Sequence, residues 1–247
     1  MAIKYRKDPD LNFLQFCDKE DLEVLVKYLT QDKDGSLRFA EELTEEDRYK
    51  NCKKDYNKIW DLIAGELQLF GGDTIINWIV RGGEGVLYKE VLCDVCDKLK
   101  VNYNENSDVM KIENNLIMKV VEDTIENMSE EEKRNFADDF HIDLTNVSTA
   151  GIMTALQIAI KAGGFASYKI AMIVANSVSK IILGRGLALA TNAGLARVLA
   201  IFAGPIGWTV SAILTLPAIF GTAYRVTIPS VLQVAYMRQK NLNKDLI

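Results

Sequence analysis

The sequence predicts an all-α protein in which an acidic, charged front half packs with an apolar, glycine-punctuated helical bundle. Three observations carry this. Apolar residues recur at helical spacing in segment after segment, and nothing of comparable strength alternates with period two. Capping residues and glycine stops divide the chain into helix-length pieces. Acidic residues also vanish behind Asp143: the next is Asp245, while residues 144–244 hold nine Lys and Arg. Residues 1–143 hold 33 of the 34 acids and 20 of the 29 bases, so the net charge of −5 hides a strong polarity along the chain.

The elements follow in order. Asp8-Pro9 offers an N-cap followed by Pro at the first helical position. Asp18 is placed to cap a helix with Leu22, Val24, Leu25 and Leu29 on one side. Thr44–Lys50 reads as a short helix start with acids in its first turn, where the helix dipole favours them. Asp55–Phe70 reads as a longer helix stopped by Gly71-Gly72, and Asp73 as the cap of TIINWIV. After a loop at Gly82–Gly85, the segment Glu84–Lys100 has the clearest stripe: Tyr88, Val91, Leu92, Val95 and Leu99. Ser107 precedes a helix burying Ile112, Leu116, Val120 and Ile125, and Ser129 with Glu132 forms a capping-box pattern.

Behind Asn146 the spacing predicts helices over 149–162, 165–183, 187–203, 206–222 and 228–240, with glycines between the first four. Small residues recur every fourth position (Ala171, Ala175, Ser179; Gly186, Ala190, Gly194), which lets helix backbones approach closely. The run VLAIFAGPIGWTVSAILTLPAIFG, Val198–Gly221, carries no charge. Gly204-Pro205 and Pro217 interrupt it, so it is not one straight span of the roughly 20 apolar residues a bilayer needs. Two readings stay open: a buried soluble core, or contact with a membrane. In the membrane reading Phe202, Ile206, Trp208, Ile213 and Leu214 touch lipid, and Lys161, Lys169, Lys180, Arg185 and Arg197 meet anionic headgroups. In the other, the bases face the acidic half as an internal electrostatic latch.

Patterns that carry chemistry are few. The opening MAIKYRKDPDLNFL is too polar for a secretory signal, which points to a cytosolic protein, peripherally membrane-associated in the first reading. The four cysteines lack disulfide-framework spacing. Thr30–Glu41 resembles a calcium-binding EF-hand loop, with Asp32, Asp34, Gly35, Ser36 and Glu41 in register, but Thr30 stands at the first position, where Asp belongs. Cys93-Asp94-Val95-Cys96 has no second pair to complete a zinc site. His141 is the only histidine and sits in no catalytic motif, and Gly82–Gly85 lacks the Lys of a P-loop. Bases are too thinly spread for a nucleic-acid interface. The expectation is a non-enzyme with no catalytic residue, cofactor or metal.

LIAGELQLFGGDTIIN with GVLYKEVLCDVCDKLKV (residues 62–77 and 85–101), GTAYRVTIPSVLQVAYMRQ (221–239) and YRKDPDLNFLQFCDKEDLEVLVKYLTQDKDG at the front are similar to the bacterial YaaW-like family, the last to its short N-terminal module. The resemblance implies a helical domain like that of ubiquinol–cytochrome c chaperones and carries no catalytic residue across. The expected organisation is a small helical module at 1–50, an acidic helical domain at 51–143 and an apolar, basic bundle at 144–247. The expected function is that of an interaction protein whose C-terminal helices contact an anionic membrane surface or a membrane-protein partner, released from the acidic half by a trigger. The alternative is a soluble assembly factor or chaperone-like module with those helices as permanent core.

Overall fold

The computed structural model of the chain describes residues 3–32, 34–38, 41–71, 85–140, 142, 147–162, 165–187, 209, 211–212 and 223–246. Among these residues the protein is all-α. Its helices are α1 (Lys19–Thr30), α2 (Asp47–Asn51), α3 (Trp60–Phe70), α4 (Tyr88–Lys98), α5 (Val109–Glu126), α6 (Glu130–Asp139), α7 (Thr149–Ala162), α8 (Phe165–Leu183) and α9 (Tyr224–Leu242). Short 3₁₀ turns lie at Asn12–Phe16, Leu43–Glu45, Tyr56–Ile59 and Lys244–Leu246, and Gln31 and Leu37 form an isolated antiparallel bridge.

α9 lies at the centre. It packs most extensively on α8, and also meets α1, α3, α4, α5 and the first 3₁₀ turn. Four of the five residues of the expected α4 stripe, Tyr88, Val91, Leu92 and Val95, are buried in the common core, while Leu99 stands at the C-cap and is half-buried. The small residues Ala171, Ala175 and Ser179 are likewise buried along α8. Ser129 and Glu132 make the reciprocal capping box that starts α6. The helices expected at 149–162 and 165–183 form with those bounds.

Three local expectations are corrected. Asp8-Pro9 opens a turn and a 3₁₀ segment rather than an α-helix. The buried Asp8 carboxylate instead accepts from Tyr88 N at 2.6 Å and so serves the start of α4. Asp18 occupies the N-cap of α1, but its side chain makes no cap bond; it turns to Lys240, 2.7 Å away. Ser107 precedes α5 as expected, and Asp108 caps that helix through Lys111 N at 2.9 Å. α9 begins at Tyr224 rather than Ile228, so Pro229 lies inside it. Burial of the flanking turns holds that helix together across the hydrogen bond Pro cannot donate. The helix expected at 74–80 and most of the run 198–221 lie outside the described residues.

Glycines act at two close approaches. Gly71 follows α3, where a Cβ would come within 2.2 Å of Val91. Gly85 crosses α3 so tightly that a Cβ would sit 2.7 Å from the backbone carbon of Gln68, whose carbonyl accepts from Val86 N. Backbone cannot rotate away as a side chain can. Gly85→Ala is therefore expected to destabilise by about 1–3 kcal/mol, the usual range for overpacking. Thermal denaturation reads it, and an unchanged melting temperature would refute the contact.

Candidate functional site

The chemistry that distinguishes this fold is a polar seam on its most central helix. α9 buries Thr227, Ser230, Gln233, Tyr236 and Gln239 along with its apolar residues. Gln233, Tyr236 and Lys240 fall on one face by helical spacing. That face meets α1: Gln233 Nε2 donates to the Asp21 carbonyl at 3.1 Å, and Lys240 Nζ reaches Asp21 Oδ2 at 2.6 Å and Asp18 Oδ2 at 2.7 Å. The Tyr236 ring stacks on Tyr168 of α8.

A second face meets α5 and the N-terminal turn. Arg238 Nε donates to Glu113 Oε2 at 2.7 Å, its Nη2 donates to the Asp10 carbonyl at 2.8 Å, and its guanidinium lies 4.4 Å over the Phe13 ring. Tyr88 OH donates to the other Glu113 oxygen at 2.7 Å. Glu113 is 1% exposed. Burial pushes its carboxyl up from the usual range, and Arg238 and Tyr88 hold it back, so the site is a closed, charge-assisted network. Asp21 is raised by burial in the same way and restrained by Lys240. Not every polar atom along the seam is served: Asn176 Nδ2, Ser230 Oγ and Gln233 Oε1 find no partner among the described residues.

The residues proposed from sequence scatter around this seam. Lys161 is exposed at the end of α7, near exposed Ile158 in the same helix, and Lys180 is exposed on α8. Lys169 lies 4.6 Å over the Phe140 ring. Arg185 reaches Glu23 of α1 at 3.2 Å. Arg197, Phe202, Ile206, Trp208, Ile213 and Leu214 lie outside the described residues. Arg185, Arg238 and Lys240 thus face acids of the front half, the latch arrangement. Sequence reasoning missed Gln233, Arg238 and Lys240 as a seam; the available signal was a helix whose polar residues sit on every face.

The other motifs resolve into local structure. Asp32 pairs with Arg38 at 2.7 Å, Asp34 accepts from Ser36, and Glu41 accepts from Thr44. Thr30 donates back to the Val26 carbonyl at 2.8 Å. Among the described residues no group of three or more His, Cys, Asp or Glu is placed to hold a metal. Cys96 is buried and its thiol is pushed up to about 12, while Cys93 is half-buried. His141 and Gly82–Glu84 lie outside the described residues. A cavity of about 160 Å³ opens at the start of α9, lined by residues including Phe70, Val91, Asp94, Tyr224 and Thr227.

Comparison with known proteins adds the lineage. A domain of unknown function (DUF3944) matches residues 5–39, and the ubiquinol-cytochrome C chaperone family matches residues 55–232. A UPF0174 protein of Helicobacter pylori strain J99 is 46% identical over 241 residues, covering 97% of this chain and 94% of that protein. The chain belongs to the UPF0174 family. A further UPF0174 protein of that strain is 40% identical over 205 residues, 81% of this chain and 97% of the relative. The UPF0174 protein YaaW of Escherichia coli K12 is 32% identical over 244 residues, 97% of each. No solved structure matches the chain. In this UPF0174 chain the first matched region contributes α1 with Asp18 and Asp21, the second contributes α3 to α8 and Glu113, and the end of α9 ties the two together.

Proposed function

We propose that the protein is a non-enzymatic, chaperone-like helical binding module that acts on a protein partner, with α8 and α9 as its permanent core. One observation carries this reading: α9 is buried on all sides and ion-paired to both α1 and α5. Breaking such pairs by removing one partner typically costs about 3–5 kcal/mol each, so a helix held by two of them is a poor candidate for release. The match of residues 55–232 to the ubiquinol-cytochrome C chaperone family supports binding rather than catalysis. Contact with the partner runs through the surface of α7 and the start of α8. There Ile158 is 63% and Phe165 49% exposed, beside the cation Lys161.

The experiment is a photo-reactive amino acid placed at position 158 of the full chain and activated in Escherichia coli, whose own YaaW is a relative. A recurrent adduct with one protein species is the expected result. Adducts with lipid alone would replace this reading by the membrane one. The observation favouring that second reading is α8, whose 19 residues are long and apolar enough to cross a bilayer, although most of the helix is buried in the fold. Flotation of the full chain on anionic but not neutral vesicles, with loss of hydrogen-exchange protection in α8, would establish it. A detergent-free, monodisperse chain left in the bottom fraction is the outcome expected here.

A further inference from the structure

Among the described residues Glu66 is an acid buried without an ion-pair partner. It sits on α3 with 1% of its surface exposed. Its Oε1 accepts one hydrogen bond, from the backbone N–H of Glu42 at 3.1 Å. Its Oε2 finds no partner among the described residues. After burial and that bond, the charges that bear most on it are Glu41, Glu42 and Glu46, all acidic. An ionised carboxylate here is desolvated, half-bonded and flanked by like charge, and each of these disfavours it. A neutral acid feels no like-charge repulsion and a far smaller desolvation cost.

What Glu66 grips is the join between the two matched regions. Residues 41–46 lead from the first, 5–39, to the second, 55–232. Glu46 of this segment accepts from Ile3 N at 2.7 Å, and Ile3 lies on Gly65, where a Cβ would meet it at 2.6 Å. One patch of α3 thus holds both the connecting segment and the N-terminal segment. We propose that Glu66 is a protonation-dependent clasp: neutral, it holds residues 41–46 and 3–6 against α3, and its ionisation releases both.

The other titratable groups on elements packed around α3 do not compete for this role. Burial raises the phenols of Tyr5, Tyr28 and Tyr56. Hydrogen bonding to Lys27 lowers Glu23, and hydrogen bonding to Asp55 raises Lys58. Asp21, further along α1, is raised by burial and answers to Lys240. Glu66 itself is pushed up to about 8 by burial. Its charge therefore changes where the phenols of Tyr5, Tyr28 and Tyr56 stay neutral and Glu23 and Lys58 stay charged.

Hydrogen exchange on the full chain tests the clasp, with rates corrected for the intrinsic effect of pH. Protection of the amides in 42–46 and 3–6 is expected to fall about tenfold or more between roughly pH 6.5 and 9, while α8 and α9 stay protected. Glu66→Gln, which keeps the acceptor for Glu42 and cannot ionise, is expected to hold protection across the range. A wild-type chain with no change, or an equal loss in Glu66→Gln, overturns the proposal. Should that variant fail to fold, Glu41→Gln with Glu46→Gln removes two like charges and is expected to shift the midpoint to lower pH. An unmoved midpoint would equally sink it.

Discussion

Arg238→Ala is expected to lower stability by about 3–5 kcal/mol and the melting temperature by roughly 10 °C in a chain of this size. The loss comes less from the missing attraction than from what is left behind. Glu113 is 1% exposed, and without Arg238 its remaining partner among the described residues is the hydroxyl of Tyr88. The Asp10 carbonyl loses a donor and the Phe13 ring loses the cation stacked on it. Arg238→Met combined with Glu113→Leu removes both charges and is expected to recover most of the stability, since two apolar groups of similar volume need no solvation. Chemical denaturation of both variants decides the matter. A single variant within 1 kcal/mol of wild type would mean that Glu113 reaches water.

Glu66 is expected to make the protein less stable as pH rises from about 4.5 to 8. Its carboxyl stands at about 8 in the fold against an ordinary 4.5, raised by burial. A raised acid binds its proton more tightly folded than unfolded, so its contribution is full below 4.5 and is lost as pH climbs to 8. Above that, both states are ionised and the dependence ends. The whole loss is on the order of 5 kcal/mol. Glu66→Gln should therefore melt close to wild type at pH 5 and roughly 10 °C higher at pH 8.5. A wild type that melts as high as the variant at pH 8.5 would show that the carboxyl is solvated. The difference between the two chains isolates this group from every other acid, Glu23 included, whose lowered carboxyl acts with the opposite sign.

Much of the architecture was legible locally. The stripe Tyr88, Val91, Leu92 and Val95 faces the core because a helix presents every third or fourth residue to one side. Ser129 and Glu132 satisfy each other across three residues, and α7 and α8 end where glycines allow. Misreadings arose where a local signal had a distant competitor. Asp8 and Asp18 look like caps for the residues that follow them, but one oxygen of buried Asp8 is drawn to Tyr88 N, and exposed Asp18 turns to the charged amine of Lys240. The spacing puts the start of the last helix at Ile228, just before Pro229, yet packing on both sides carries it through the proline from Tyr224.

By itself the sequence determined the fold class, the capping chemistry of its clearest helices and the separation of acids from bases along the chain, because each depends on residues within one or two turns of one another. Only the tertiary structure decided that α9, the least one-sided of the long helices, is the centre, and that Arg238, Lys240 and Glu66 are the groups on which the rest depends. Their partners lie 125, 219 and 24 residues away. The free energy of a buried charge is set by what surrounds it in space, and no local spacing encodes that.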